Sequence, residues 1–135
     1  MCMIDNAEGS WARFDSGLRT ARKRHQCCEC HRSIEPGEQY EYASGLDTYD
    51  VCGWVHFKTC RHCIAAREWL TKVCGGWLYE GVLEDLDEHR IETQYNPRWL
   101  NIAVSGMRNR WRNKDGSMRR PMSLPKRLPI PEHAH

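Results

Sequence analysis

The chain has 135 residues, 40% hydrophobic and 28% charged, with a formal net charge of +2. That length holds one domain with extensions, and the composition belongs to a folded chain rather than a disordered one. A mean hydropathy of −0.77 without a long apolar run excludes a transmembrane helix, and Met1-Cys2-Met3-Ile4-Asp5 lacks the charged lead and apolar stretch of a secretory signal, so a cytoplasmic protein with no membrane partner is expected.

Residues 1–24 read as a polar N-terminal arm that ends in a basic run, Arg19, Arg22, Lys23 and Arg24. Residues 25–95 read as the folded domain. Cys27-Cys28-Glu29-Cys30 leads into Glu35-Pro36-Gly37-Glu38, a turn signal. Gln39–Ala43 then alternates aromatic with polar residues as a half-buried strand does, Gly45-Leu46-Asp47 is a second turn signal, and Tyr49–Thr59 is the return strand of a hairpin. From Cys60 the period changes: Ile64, Ala65, Trp69, Leu70 and Val73 fall at helical spacing, and Gly75-Gly76 ends the helix. A second, acidic helix is expected from about Leu78 to His89, with Leu78, Val82, Leu83 and Leu86 on one face and Glu84, Asp85, Asp87 and Glu88 on the other.

Residues 96–135 read as a basic C-terminal helix and Pro-rich tail. Asn96-Pro97 is a helix start, and Leu100, Val104, Met107 and Trp111 form one apolar stripe. Lys114-Asp115-Gly116 closes that segment, and no regular structure is expected after it, where Pro121, Pro125, Pro129 and Pro131 accumulate. Charge is divided between the segments. Residues 1–95 hold 11 Lys and Arg against 16 Asp and Glu, whereas residues 96–135 hold 9 against 2. An acidic body with a basic tail points to an anionic partner, or to a tail that is simply solvated.

Eight cysteines are many for 135 residues. In a reducing compartment, clustered cysteines read as metal ligands before disulfides. Cys27-x-x-Cys30 and Cys60-x-x-Cys63 are two C-x2-C pairs separated by 29 residues. Each can present two sulfurs to one tetrahedral ion, so one structural Zn2+ with four protein ligands is expected, leaving no open position for an activated water. The second pair falls at a helix start, where free N–H groups and the dipole favour thiolates. The ligand register has alternatives: Cys28-x-x-His31 repeats the spacing, and His56 or His62 could replace a cysteine. Cys52 and Cys74 have no C-x2-C partner and are expected inside, while a second metal built from Cys2, Cys28, Cys52 and Cys74 remains an alternative.

The order of knuckle, hairpin and helix resembles treble-clef zinc fingers such as LIM halves, on Cys27-x-x-Cys30-x-Arg32-x-Ile34-x-x-Gly37-Glu38 followed by Cys60-x-x-Cys63. The segment from 25 to 70 also resembles small zinc-binding proteins encoded by temperate bacteriophages and prophages. It carries their pattern as His25, Cys27, Cys30, Pro36-Gly37-Glu38, Tyr40, Tyr42, Cys60, Cys63 and Trp69-Leu70. That resemblance implies a phage setting in a host cytoplasm and no defined activity. Trp54-Val55-His56 echoes finger domains that recognise DNA breaks, but His56 stands one residue too far from Cys60. The Asp-His pair and the later Asn and His of HNH nucleases are missing, so nuclease chemistry is the weakest of the readings.

The fold class expected is therefore small α+β, a treble clef followed by an acidic helix and the basic tail. The function expected is non-enzymatic: binding of nucleic acid or a host nucleoprotein complex. Arg19, Arg22, Lys23, Arg24, Arg98, Arg108, Arg110, Arg112, Lys114, Arg119 and Arg120 would meet phosphate. Trp111 reads in two ways, as a stacking surface for bases or as part of the stripe docked on the body, and the stripe favours docking. The alternative function is inhibition of a host protein, such as one of a defence system, through direct contact by exposed aromatic and arginine side chains.

Overall fold

Alternation of period two carries through the middle of the chain as an antiparallel sheet. The computed structural model describes residues 11–47, 53–92 and 98–124. In chain order the elements are β1 (Trp11–Thr20), β2 (His25–Gln26), β3 (Ser33–Ile34), β4 (Gln39–Asp47), β5 (Trp54–Cys60), α1 (Arg61–Cys74), α2 (Val82–Glu92) and α3 (Arg98–Arg108). β4 is the central strand of a three-stranded sheet, with β1 and β5 antiparallel on either side. β2 and β3 form a separate ribbon around the first cysteine pair, His25 opposite Ile34 and Gln26 opposite Ser33. The molecule is thus a small α+β protein.

The sheet is larger than the expected hairpin. Residues 11–20, read as part of a polar arm, are strand β1, paired from Thr20↔Gln39 to Trp11↔Asp47 with one irregularity between Trp11 and Arg13. Their sequence alternates Arg13, Asp15 and Arg19 with Phe14 and Leu18, a weak signal because few residues are β-branched. Pairing with β4 is what makes it a strand. Gly45-Leu46-Asp47 is not a turn but the end of β4, held between Phe14 and Val55 at Gly45 and between Arg13 and Trp54 at Leu46. The return strand is described from Trp54, and the rest of the expected Tyr49–Thr59 strand before Gly53 lies outside the described residues.

α1 begins where expected. Cys60 is its N-cap in extended conformation, and Gly75 closes it at φ 80 with its N–H on the Thr71 carbonyl at 3.1 Å. Ala66, Trp69, Leu70 and Val73 face the core. α2 begins later than expected, at Val82, and Leu78 stays exposed. The cause is local and tertiary together: Glu80 takes a left-handed φ of 67, and the buried Glu29 carboxylate accepts the N–H groups of Glu80 (2.8 Å) and Val82 (3.3 Å). A glutamate from the knuckle thus does the work of an N-cap for a helix some fifty residues on.

The Asn96-Pro97 start of the third helix lies outside the described residues, but Leu100, Val104 and Met107 are buried as the stripe requires. The helix ends in a Schellman arrangement, with Trp111 N–H on Gly106 O at 2.7 Å and Arg110 N–H on Met107 O at 3.1 Å. Arg110 (φ 54) and Trp111 (φ 60) are both left-handed, and the indole folds back over Gly106 into the core. The tail beyond is not a solvated extension as far as it is described. A turn brings Arg112 opposite Met118, after which Met118, Met122 and Leu124 pack on the core and Trp99 Nε1 donates to Ser123 O at 3.0 Å.

Candidate metal centre

The two C-x2-C pairs converge. Cys27 and Cys30 sit on a knuckle where His31 turns left-handed at φ 66, His31 N–H bonds Cys27 O at 3.0 Å and Cys27 N–H bonds Arg32 O at 2.9 Å. Cys60 ends β5 and Cys63 lies in the first turn of α1. All four are buried, and their Sγ atoms lie within 4.8 Å of one another. The Cys30–Cys60 separation is 3.8 Å. A tetrahedral ion with metal–sulfur bonds of about 2.3 Å requires sulfur–sulfur edges of about 3.8 Å. The cluster therefore fits one metal ion, with sulfur as every donor.

Donors surround these sulfurs as thiolates demand. The backbone N–H groups of Glu29 and Cys60 each reach Cys27 Sγ at 3.4 Å, and Trp111 Nε1 reaches Cys63 Sγ at 3.4 Å. Among themselves the thiols divide. Hydrogen bonds from Cys27, Cys30 and Cys63 hold Cys60 far below its ordinary value, whereas the bond with Cys27 pushes Cys30 up and burial pushes Cys63 up. The Arg32 guanidinium, 3% exposed, pairs twice with Glu38 at 3.1 and 2.8 Å. Burial opposes its charge, but Glu38 and the Cys60 sulfur outweigh that and keep it cationic beside the cluster.

The alternative ligands are occupied elsewhere. Cys28 Sγ lies 3.6 Å from Thr59 Oγ1 and 3.7 Å from the Glu29 carboxylate, and burial followed by Glu29 pushes its thiol up to about 12. His31 is exposed. His56 Nδ1 bonds the Tyr42 hydroxyl at 2.6 Å. His62 Nε2 faces the carbonyl of Arg119, which only accepts, so Nε2 carries the proton; Nδ1 then accepts from Arg32 Nη2 at 3.3 Å. Neither ring nitrogen of His62 is left for a metal. Cys74 is disulfide-bonded, with His89 Nε2 at 3.5 Å, which corrects the expectation of a merely packed thiol. Cys2 and Cys52 lie outside the described residues.

The basic residues fall in two places. Arg19, Arg22, Lys23 and Arg24 are exposed at the end of β1 and just after it, and of these Arg24 is paired with Glu35 at 3.0 Å. Arg98, Arg108, Arg110, Arg112, Lys114 and Arg120 are exposed on α3 and beyond it, Arg119 is half-buried, and Arg108 is paired with Asp87 at 2.8 Å. Trp111 is 1% exposed and bonded to a ligand sulfur. It belongs to the metal site's wall, and a stacking role would require it to leave the core. Sequence reasoning missed Glu29, Arg32 and Lys58. Glu29 and Arg32 act through contacts made by distant segments. Lys58 lies beside His25, whose value is lowered by burial and then by Lys58 and Lys23; its signal was the alternation Trp54-x-His56-x-Lys58.

Among the described residues, no helix is long and apolar enough to cross a membrane. Comparison with known proteins finds no family model, no curated protein and no solved structure that matches this chain.

Proposed function

We propose that this chain is a non-enzymatic binding protein, a treble clef held by one structural zinc, whose exposed cations engage nucleic acid. The ligand set supports zinc: four thiolates in a tetrahedron suit it, and a site filled by protein sulfur has no position for an activated water. The observation that carries the partner is the contrast between two kinds of cation. Arg24, Arg32, Arg67, Arg90 and Arg108 are paired with carboxylates. Arg19, Arg22, Lys23, Lys58, Arg110, Lys114 and Arg120 have no such partner among the described residues. Cations left for a partner match a polyphosphate, which accepts several at once and releases counterions.

The phage setting stays with this proposal as the context implied by the resemblance of residues 25–70. A second reading, inhibition of a host protein, is favoured by the apolar side chains Ile91 (69% exposed) and Ile102 (43%) on α2 and α3. Metal analysis with fluorescence anisotropy on labelled oligonucleotides across a salt series tests both. One zinc per chain and affinity falling steeply with salt are expected, with a log–log slope of roughly −0.7 to −0.9 per phosphate neutralised. One zinc with no oligonucleotide binding even at low salt overturns the nucleic-acid reading and leaves the protein-partner reading.

A further inference from the structure

Cross-strand partners share a face of a sheet, so the register divides this one. One face carries Glu41 and Phe57, which are covered: Glu41 by Arg67 and the Tyr79 hydroxyl, Phe57 by the stacked Tyr79 ring at 4.4 Å. The opposite face carries Tyr42, Ser44 and Leu46 of β4, Asp15, Gly17 and Arg19 of β1, and Trp54, His56 and Lys58 of β5. Its Tyr40–Cys60 end is buried and Tyr42 is partly buried against the core, but among the described residues no helix side chain is stacked over the stretch from Tyr42 to Trp54 in the way Tyr79 covers the first face. Trp54 is 48% exposed there, His56 is exposed, and Arg19 is exposed with its guanidinium 4.1 Å from the centre of the Tyr42 ring.

The composition of that face is specific. Tyr42 and His56 lie side by side, ring centres 5.8 Å apart and joined by the 2.6 Å hydrogen bond, and Trp54 follows two residues before His56 on the same strand. Along its lower edge Arg19, Arg22, Lys23 and His25 line a cleft of about 840 Å³ with Tyr40 at its wall. Lys58 stands beside it, opposite Tyr42. A second, smaller cleft runs on along β1 past Arg19, Tyr42 and Ser44 to Asp15. Asp15 is the one carboxylate that the register places on this face among residues 15–19, and it sits at the far end from Lys23.

We infer that this open sheet face is a platform for single-stranded nucleic acid, with bases stacked on Tyr42, His56 and Trp54 and phosphates held by Arg19, Lys58, Arg22 and Lys23. The inference rests on the nucleic-acid reading above and places its main contact on the sheet rather than on the tail. A row of aromatic rings on a strand-built surface, flanked by cations, is what unstacked bases and an extended backbone require. Alternate residues repeat about every 6.6 Å along a strand, which separates the aromatic positions enough for successive rings to be used. A paired duplex hides its base faces, so it can use the cations but not the rings. Asp15, on β1, repels phosphate and so keeps the backbone on the β5 side of the face, beside Lys58, His56 and Trp54.

The test uses the full, metal-loaded chain and anisotropy of a fluorescein-labelled thymidine oligonucleotide of about 15 nucleotides, beside a duplex of the same length. Trp54→Ala is expected to weaken the single strand about five-fold or more, the equivalent of losing one stacked base, with little effect on the duplex. Arg19→Glu with Lys58→Glu lowers affinity further and reduces the magnitude of the salt slope by about 1.4. Arg110→Glu with Lys114→Glu lowers single-strand affinity less than the Arg19 and Lys58 pair does. Loss on the tail variant alone, or a duplex bound more tightly than the strand, overturns the platform while leaving the nucleic-acid reading intact. Failure of every oligonucleotide to bind overturns both. Ultraviolet crosslinking of the unmodified chain to the same strand gives a readout independent of variant folding: adducts on Tyr42, His56 or Trp54 are expected, and adducts confined to residues 98–124 overturn the platform.

Discussion

Gly106→Ala should destabilise this protein, although helix propensity alone predicts the reverse. Gly106 lies inside α3, where alanine is ordinarily better by about 1 kcal/mol. A Cβ at this position would lie 2.3 Å from Trp111 Cζ3 and 2.5 Å from Cε3, against the 3.4–4 Å of ordinary contact. The indole must therefore move by about 1 Å or leave. It is 1% exposed, surrounded by core, and bonded through Nε1 to Cys63 Sγ. Burying a tryptophan removes roughly 150–250 Å² from water, about 4–6 kcal/mol at 25 cal/mol per Å². Partial repacking and the propensity gain offset some of this, which leaves a net loss of about 2–4 kcal/mol. Urea unfolding of the metal-loaded variant measures it, and chelator competition should show faster metal loss because Cys63 loses its indole donor. A variant as stable as the parent, holding its metal equally well, would refute the claim that Trp111 closes the metal site over Gly106.

Three further outcomes follow from the same structure. Complete chelation with the Cys74 disulfide intact should abolish near-ultraviolet dichroism and cooperative unfolding, since the proposed structural zinc would contribute roughly 10 kcal/mol or more of folding free energy; unchanged dichroism after verified metal removal would sink the structural role. Arg110→Gly should raise stability by about 0.5–1 kcal/mol, because Arg110 holds φ 54 at the Schellman position where glycine carries no Cβ penalty; a loss in thermal unfolding would contradict this. His89→Gln should flatten the pH dependence of stability above about pH 6.5. Burial alone would lower the His89 value, but the Asp85 carboxylate at 3.2 Å and the Asp85 carbonyl at 2.8 Å outweigh it and hold it raised. The stability from that charge is complete below the unfolded value near 6.5 and is lost as pH rises through the folded one. Parallel pH–stability curves for the two proteins would refute the assignment.

The metal centre also explains why the chain after α3 is not a free arm. His62 is held by the Arg119 carbonyl and Cys63 by the Trp111 indole, so residues 111–119 form part of the wall around the sulfurs. Glu29 ties the knuckle to α2 in the same way. The loop of the first cysteine pair, the acidic helix and the basic segment are thus one packed unit in the region described. Mutations far from the cysteines in sequence should be felt at the cluster.

Some of this was decided by sequence alone because the governing physics is local. Each C-x2-C pair gathers two sulfurs through short-range geometry, and the matched spacing already implies one shared site, although the meeting of Cys30 with Cys60 is made by the fold; the 3.6-residue period of Ile64–Val73 and Leu100–Met107 is likewise a local amphipathic signal. Other features exist only in three dimensions. Strand β1 is too polar to declare itself and becomes a strand by pairing with β4, which also carries Gly45-Leu46-Asp47 past its turn signal. The start of α2 is set by a carboxylate from Glu29, and the fate of Trp111 by two left-handed residues that aim the indole into the core. The division between paired and unpaired cations, and the gathering of Arg19, Tyr42, His56, Trp54 and Lys58 on one face, depend on strand register, which no single segment encodes. Local chemistry wrote the two cysteine pairs, whereas the binding surface proposed above was decided by which strands met.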